Sequence, residues 1–190
     1  MKRMSLFLLF CLFFVLPFSL SGQETAEMQE LSEMAADPGT VVSISPSACI
    51  PYDQSYWDYF NFYADPDRAY FDYNLGAFMV GFTAPVYLPH GATVTKMVVY
   101  FTDNADAGED DTMDVTLYRH RMATGACNSL AVTDSTPYAN SPNRRTMRDR
   151  SIDYPIIDNQ FFSYYLVVRF WQGREELQFH GAKIFYELIL

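Results

Sequence analysis

The sequence is poor in the residue types from which many catalytic centres are built. It contains three histidines and three cysteines in 190 residues, and no two histidines have the spacing of zinc ligands. It also has no Gly-x-Ser-x-Gly motif and no glycine-rich phosphate-binding loop. These absences disfavour zinc-dependent, serine-hydrolase and nucleotide-binding functions. Carboxylates are plentiful, so a polysaccharide hydrolase that uses a pair of acids stays open as a minority alternative.

Basic residues are scarce as well. Thirteen Lys and Arg stand against 23 Asp and Glu, and the formal net charge is −10. A chain this acidic repels the phosphates of nucleic acids and the head groups of anionic membranes. We therefore expect neither nucleic acid nor an anionic membrane surface as a main partner.

Long hydrophobic runs are confined to the N-terminus. Residues 1–3 are Met-Lys-Arg, residues 5–20 are almost entirely apolar, and small residues follow at Ser21 and Gly22. This is the layout of a secretory signal peptide, and Pro17 interrupts a run that is short for a membrane-spanning helix. The sequence predicts cleavage after residue 21 or 22 and a secreted, periplasmic or cell-surface protein without membrane insertion. An uncleaved anchor is the alternative.

Loss of the leader changes the cysteine count and the charge. Cleavage removes Lys2 and Arg3, so that 11 basic residues face 23 acidic ones and the net charge is near −12. It also removes Cys11 and leaves Cys49 and Cys127. In an oxidising compartment such a pair most simply forms one disulfide, which here closes a loop of about 78 residues and stabilises by about 4 kcal/mol. Two buried free thiols are the alternative.

The chain that follows the leader divides into an acidic segment and a strand-rich domain. Residues 23–40 contain neither a basic nor an aromatic residue, which predicts a linker or a short helix. Residues 41–190 predict a single all-β domain, an antiparallel β-sandwich or jelly roll of about eight to nine strands. The predicted strands cover residues 42–45, 77–82, 92–102, 113–117, 130–133, 146–152, 164–170, 177–179 and 183–190.

One of these strands changes its alternation halfway. Ala92 and Val94 share one parity, whereas Met97, Val99 and Phe101 share the other. A switch of parity within one strand predicts a β-bulge between the two halves.

Several short motifs together resemble a loosely defined group of exported bacterial single-domain β proteins. In chain order they are APVYLPHGATVT at 84–95, Tyr100, Asp103-Asn104, VTLYR at 115–119, IDN at 157–159, YYLVV at 164–168 and GAKIFY at 181–186. The resemblance covers roughly residues 40–190 and implies a β-sandwich fold and export. It carries no catalytic residue over to this chain.

Aromatic residues are concentrated between positions 52 and 73. Exposed Tyr and Trp rings offer flat apolar area with a polar tip, on which sugar rings can stack. Tyr56, Trp57 and Tyr59 are therefore candidate ligand-binding residues. The alternative is that these rings cover the core, as aromatic side chains do in most β proteins.

Four arginines between positions 144 and 150 form the one basic cluster of this acidic sequence. Alternation places Thr146, Arg148 and Arg150 on one face of a strand and Met147 on the other. Arg145 and Arg148 are candidate contacts for an anionic glycan or for acidic loops of a second copy. A solvated strand face with weak local ion pairs is the alternative.

The acidic stretch at 103–114 is a candidate calcium loop. It is not an EF-hand, because alanines occupy two ligand positions of that template. A looser calcium site stays open, and its candidate ligands are Asp103, Asp106, Asp110 and Asp111. A solvated hairpin loop is the alternative.

Taken together, these patterns favour an exported, non-catalytic β-sandwich module that binds a glycan or a cell-surface partner. A structural module that self-associates is the first alternative, and a polysaccharide-acting hydrolase is the second.

Overall fold

The computed structural model describes residues 40–51, 61–72, 79–104, 112–136, 141–171 and 175–188. These residues form eleven strands and one 3-10 turn at Pro46–Ala48. The strands are β1 (Thr40–Ile44), β2 (Ile50–Pro51), β3 (Asn61–Ala64), β4 (Ala69–Asp72), β5 (Met79–Pro85), β6 (Ala92–Asp103), β7 (Thr112–Arg121), β8 (Cys127–Asp134), β9 (Ser141–Asp149), β10 (Phe162–Trp171) and β11 (Leu177–Leu188).

The strands form two antiparallel sheets. The six-stranded sheet has the order β3-β4-β11-β6-β9, and β1 pairs with β11 outside this path. The five-stranded sheet has the order β2-β5-β10-β7-β8. The predicted all-β sandwich is confirmed. The strands outnumber the predicted eight to nine because β2, β3 and β4 are too short to show an alternation of their own.

The core lies between the sheets and follows from the period of two along each strand. On β10, Tyr164, Leu166, Val168 and Phe170 are all buried, while the residues between them are more exposed. Rings from both sheets meet in the middle, and Phe170 lies 5.8 Å from Phe71 of the other sheet, centroid to centroid. Each large side chain buried in this way stabilises the fold by about 1.5–3 kcal/mol.

The predicted bulge in β6 is confirmed. Lys96 pairs with Phe185 and Val94 pairs with Tyr186, so that Thr95 is the additional residue. This insertion lets both halves of the strand direct apolar side chains into the core, as the switch of parity requires.

A second bulge makes β11 one strand where the sequence predicts two. The register shifts between Phe179 and Gly181, which leaves His180 as the additional residue. Gly181 has a φ of 123°, and a Cβ atom on it would lie 2.8 Å from the carbonyl oxygen of Ile44. Only glycine fits this position, because it tolerates both the backbone conformation and the close approach of β1.

The predicted disulfide is wrong. Cys49 is a buried free thiol and Cys127 an exposed one. Cys49 directly precedes β2 and Cys127 begins β8, at opposite edges of the five-stranded sheet. Four strand spacings separate these edges by roughly 19 Å, whereas a disulfide needs Cα atoms within about 7 Å. Burial raises the pKa of the Cys49 thiol, which keeps it protonated and unreactive.

The predicted leader and most of the acidic segment, up to residue 39, lie outside the described residues. In the part of the chain that the structure describes, no helix has the length and apolar character needed to cross a membrane.

Candidate binding face

Most of the residues that the sequence singles out for binding lie outside the described ranges. Tyr56, Trp57 and Tyr59 fall in 52–60, and Asp106, Asp110 and Asp111 fall in 105–111. Of the calcium candidates the structure describes Asp103, which ends β6 and is 3% exposed. Within the described ranges, no group of three or more His, Cys, Asp or Glu side chains is arranged to hold a metal ion.

The two candidate arginines lie on opposite faces of β9 and form no common patch. Arg145 is opposite Phe101 in the register and its guanidinium carbon lies 6.0 Å from that ring. Arg148 is on the outer face, where its Nη2 donates to the Thr146 hydroxyl at 3.4 Å. The predicted separation of Thr146 and Arg148 from Met147 is confirmed, since Met147 is buried on the inner side. Side chains in a strand alternate between its two sides. Arg145 and Arg148 are three positions apart and therefore point to opposite sides.

A more extensive candidate surface is the outer face of the five-stranded sheet. It consists of the residues of β10 that alternate with the core, namely Tyr165, Val167, Arg169 and Trp171, together with their cross-strand neighbours. β10 pairs with β5 and β7 without a register shift, so these side chains stand in straight rows. We call this surface the binding face.

The binding face gathers exposed apolar side chains. Eleven large hydrophobic residues are exposed among those described, and seven of them lie on this face or directly beyond its strand ends. The seven are Ile50, Met79, Tyr87, Met122, Val132, Phe161 and Trp171. From Phe161 to Trp171 the face extends about 33 Å along β10. Exposed apolar side chains gathered on one face are typical of interaction sites.

An ion pair fixes one end of the face. Arg169 lies opposite Asp114 in the register, and its Nε and Nη2 approach Asp114 Oδ1 at 2.7 and 2.6 Å. Trp171 donates from Nε1 to Asp114 Oδ2 at 3.0 Å. These charge-assisted bonds hold the indole in one orientation while the Trp171 residue stays 45% exposed. The result is a preorganised aromatic surface.

A stacked pair of tyrosines, Tyr165 on β10 and Tyr118 opposite it on β7, lies farther along the face. The rings of Tyr118 and Tyr165 are 5.6 Å apart between centroids and nearly parallel, at 20°. Burial, helped by the hydrogen bond that the Tyr165 hydroxyl donates to Cys127 Sγ at 3.5 Å, raises the pKa of Tyr165 to about 12. The hydroxyl is therefore a neutral donor at ordinary pH. Six residues separate Tyr165 from Trp171, which places these aromatic positions about 20 Å apart.

Sequence reasoning missed this face because it followed local aromatic density instead of strand alternation. The alternation of side chains between Tyr164 and Trp171 was the signal that could have identified the face. Once Leu166 and Val168 are assigned to the core, the period of two assigns Tyr165, Arg169 and Trp171 to the opposite side. The pairing of Arg169 with Asp114 depends on the register between two strands that are distant in sequence.

No protein-family model matches the sequence, and no curated protein matches it. Solved structures of similar fold include the xylan-binding module CBM15, at 8% identity and a TM-score of 0.45, over 80% of this chain and 99% of that one. The CBM22-2 xylan-binding domain from Paenibacillus barcinonensis Xyn10C is similar at 9% identity and a TM-score of 0.46, over 78% and 99%. A family 11 carbohydrate-binding module from Clostridium thermocellum, in complex with a β-1,3-1,4-mixed-linked tetrasaccharide, has 10% identity and a TM-score of 0.41, over 79% and 91%. The similarity concerns the β-sandwich fold alone.

Proposed function

We propose that this protein is a non-catalytic module that binds a neutral, extended polysaccharide along the binding face. The observation that carries the proposal is the exposed indole of Trp171, fixed by Asp114 and aligned on β10 with the Tyr118–Tyr165 pair. Rigid, partly exposed aromatic rings give a sugar ring a flat apolar contact with little loss of side-chain freedom on binding. A span of about 20 Å between them suits several consecutive sugar units of one chain.

The charges of the face favour a neutral polymer over an acidic one. Arg169 is engaged by Asp114, and the exposed Asp134 lies opposite Asp114 on β8. These three side chains sum to a negative charge, which repels polyanions and leaves the hydroxyl groups of a neutral glycan as suitable partners.

The position of Asp114 supports binding instead of hydrolysis. Both of its oxygens accept hydrogen bonds from Arg169 and Trp171. The carboxylate therefore orients an aromatic contact and is not directed at a reacting bond.

Isothermal titration calorimetry with soluble xylan, mixed-linkage β-glucan and cello-oligosaccharides tests the proposal. We expect at least one of them to bind, and Trp171→Ala to weaken that binding about tenfold or more, as truncation of a central aromatic anchor does. The matched control is Tyr63→Ala, because Tyr63 is 40% exposed but belongs to β3 of the other sheet.

Two results would contradict the proposal. The first is a Trp171→Ala variant that binds as tightly as the parent protein. The second is a protein that binds none of these glycans and sediments as a salt-insensitive oligomer which Trp171→Ala dissociates. That second result would identify the face as a contact between copies of the chain.

A further inference from the structure

Arg119 packs against aromatic rings and forms no ion pair with any of the residues described. It lies near the end of β7 opposite Tyr164, and therefore points between the two sheets at the end of the sandwich. Its guanidinium carbon is 3.6 Å from the ring centroid of Tyr154 and 4.6 Å from that of Phe162. Its Nε is buried and has no hydrogen-bond partner among the residues described. Buried polar groups are usually paired, so this exception requires an explanation.

Tyr154 is held in a strained conformation beside it. Of the described non-glycine residues, Tyr154 alone has a positive φ, 49°. It also precedes Pro155, and a residue in that position normally adopts extended backbone. Two hydrogen bonds pin its neighbours: the Asp153 N–H donates to Leu130 O at 2.8 Å, and the Val94 N–H donates to Pro155 O at 2.9 Å.

In this backbone conformation one face of the Tyr154 ring lies against the Arg119 guanidinium, and the other face of the ring is open. Tyr154 is 52% exposed although Arg119 covers one face of the ring. Strained residues persist where the surrounding structure over-determines them, and they concentrate at ligand contacts. Here the strained residue places an aromatic face beside a guanidinium fork.

We propose that Arg119 and Tyr154 form a second glycan subsite, separate from the binding face, for a uronic acid polymer. The carboxylate of one uronic acid residue accepts hydrogen bonds from the edge of the Arg119 guanidinium, and a neighbouring sugar ring packs on the open face of Tyr154. A planar guanidinium already oriented by two rings matches a carboxylate with little loss of freedom. The proposal rests on the proposed function in taking a glycan as the ligand, but it uses none of the residues of the binding face.

Calorimetry with oligogalacturonate in EDTA, at low and at high salt, tests this subsite. The fully methyl-esterified oligomer is the matched ligand, because it has the same sugars without the negative charge. We expect the acid form to bind more tightly at both salt concentrations, because salt screens the local contact with Arg119 and also the repulsion from the acidic chain. Arg119→Gln should weaken binding of the acid form about tenfold or more, and Arg119→Lys should restore only part of it, since lysine lacks the fork.

The control variant is Arg121→Gln. It removes the same charge from an exposed side chain two positions along the strand. It should bind the acid form as the parent protein does. A loss as large as that of Arg119→Gln would show a diffuse charge effect and overturn the subsite.

Tyr154→Gly separates ligand binding from folding. Glycine adopts a positive φ without strain, and this gain opposes the loss of the ring contact with Arg119, so the melting temperature should change little while affinity for the acid form falls about tenfold. Equal binding by Tyr154→Gly and the parent protein, equal binding of acid and ester, or no binding of the acid form would each overturn the proposal. Trp171→Ala should leave acid-form binding intact, so the two sites can fail independently.

Discussion

The two outer faces of the sandwich bury their side chains to very different degrees. On the five-stranded sheet the outward side chains include exposed Trp171, Met79 and Val132. On the six-stranded sheet, Lys96 and Phe185 also point away from the core, yet they are 2% and 5% exposed. The ammonium of Lys96 lies 3.9 Å from the centre of the Phe185 ring. Around Lys96 and Phe185 the six-stranded face is closed by packing, although Tyr63 at its edge is 40% exposed. The five-stranded face leaves large apolar groups in contact with water along its central strand and both its edges.

The regularity of the strands differs in the same sense. β11 and β6 pair with two register shifts, at Thr95 and at His180, which twist the six-stranded sheet and shape its packing. β10 pairs without a shift on both sides, and the shift in the five-stranded sheet lies toward its edge, between Leu117 and Tyr118 where β7 pairs with β8. We infer that the six-stranded sheet primarily stabilises the fold, whereas the five-stranded sheet provides the recognition surface. Mutations should separate these roles.

The largest expected effect is on the six-stranded sheet. Gly181→Ala should lower the free energy of unfolding by about 3 kcal/mol, because the added methyl group meets the Ile44 carbonyl in a backbone conformation that strains any other residue. Denaturant unfolding followed by circular dichroism measures this change.

The control for Gly181 is Gly125, which also has a positive φ, 73°, but stands in open space, since a Cβ atom added to it would meet no atom within 4 Å. Gly125→Ala should cost only the strain of the conformation, about 1 kcal/mol. Equal losses in the two variants would show that the close approach of β1 to β11 contributes nothing.

The next effect concerns the binding face. Asp114→Asn removes the charge that Arg169 and Trp171 share, and should lower the free energy of unfolding by about 1–2 kcal/mol, given that Arg169 is partly exposed. It should also release the indole, which a rise in acrylamide quenching would report in a Trp57→Phe background, where Trp171 is the one tryptophan left.

Asp134→Asn is the matched control, since Asp134 lies opposite Asp114 on β8 but does not contact Trp171 in the described structure. An equal rise in indole quenching in both variants would contradict the role assigned to Asp114. So would the absence of a rise in either variant.

Strand alternation in the sequence was enough to predict the class of fold and the bulge in β6. The parity of Val94 and Met97 is a local property, because each side chain must face the core whatever the strand pairs with. The bulge at His180 escaped prediction for a physical reason. Gly181 has no side chain to show which face it occupies, so that β11 reads as two strands instead of one.

The disulfide was predicted wrongly and the binding face was not predicted at all. The reason is the opposite one, because both depend on contacts between residues that are distant in sequence. Nothing in the spacing of Cys49 and Cys127 shows that β2 and β8 are opposite edges of one sheet. In the same way, the order β5-β10-β7 brings Asp114 beside Trp171 although 57 positions separate them. Local patterns predict which side chains point outward, but only the topology decides which of them meet.

The smallest expected effect is a pH dependence that originates on the six-stranded sheet. His180 occupies the bulge of β11, where its Nε2 is 2.8 Å from the Thr102 hydroxyl and its Nδ1 is 2.8 Å from the Asp67 carbonyl oxygen. Burial lowers the pKa of His180, and the nearby charges of Arg144 and Arg68 lower it further, against the opposing influence of Asp67. The folded protein therefore holds the neutral ring more firmly than the unfolded chain does.

The sign of the effect follows from proton uptake. As pH falls through about 6.5, the ordinary pKa of histidine, the unfolded chain binds the proton first, so stability falls. The loss continues down to the lower pKa of the folded state and then levels off. Urea unfolding between pH 7.5 and 5 should show this slope, and His180→Gln should flatten it. Arg144→Gln should reduce the slope only in part, because it removes one cation but not the burial. An unchanged slope in His180→Gln would mean that the pH dependence comes from other titrating groups, and that His180 contributes nothing to it.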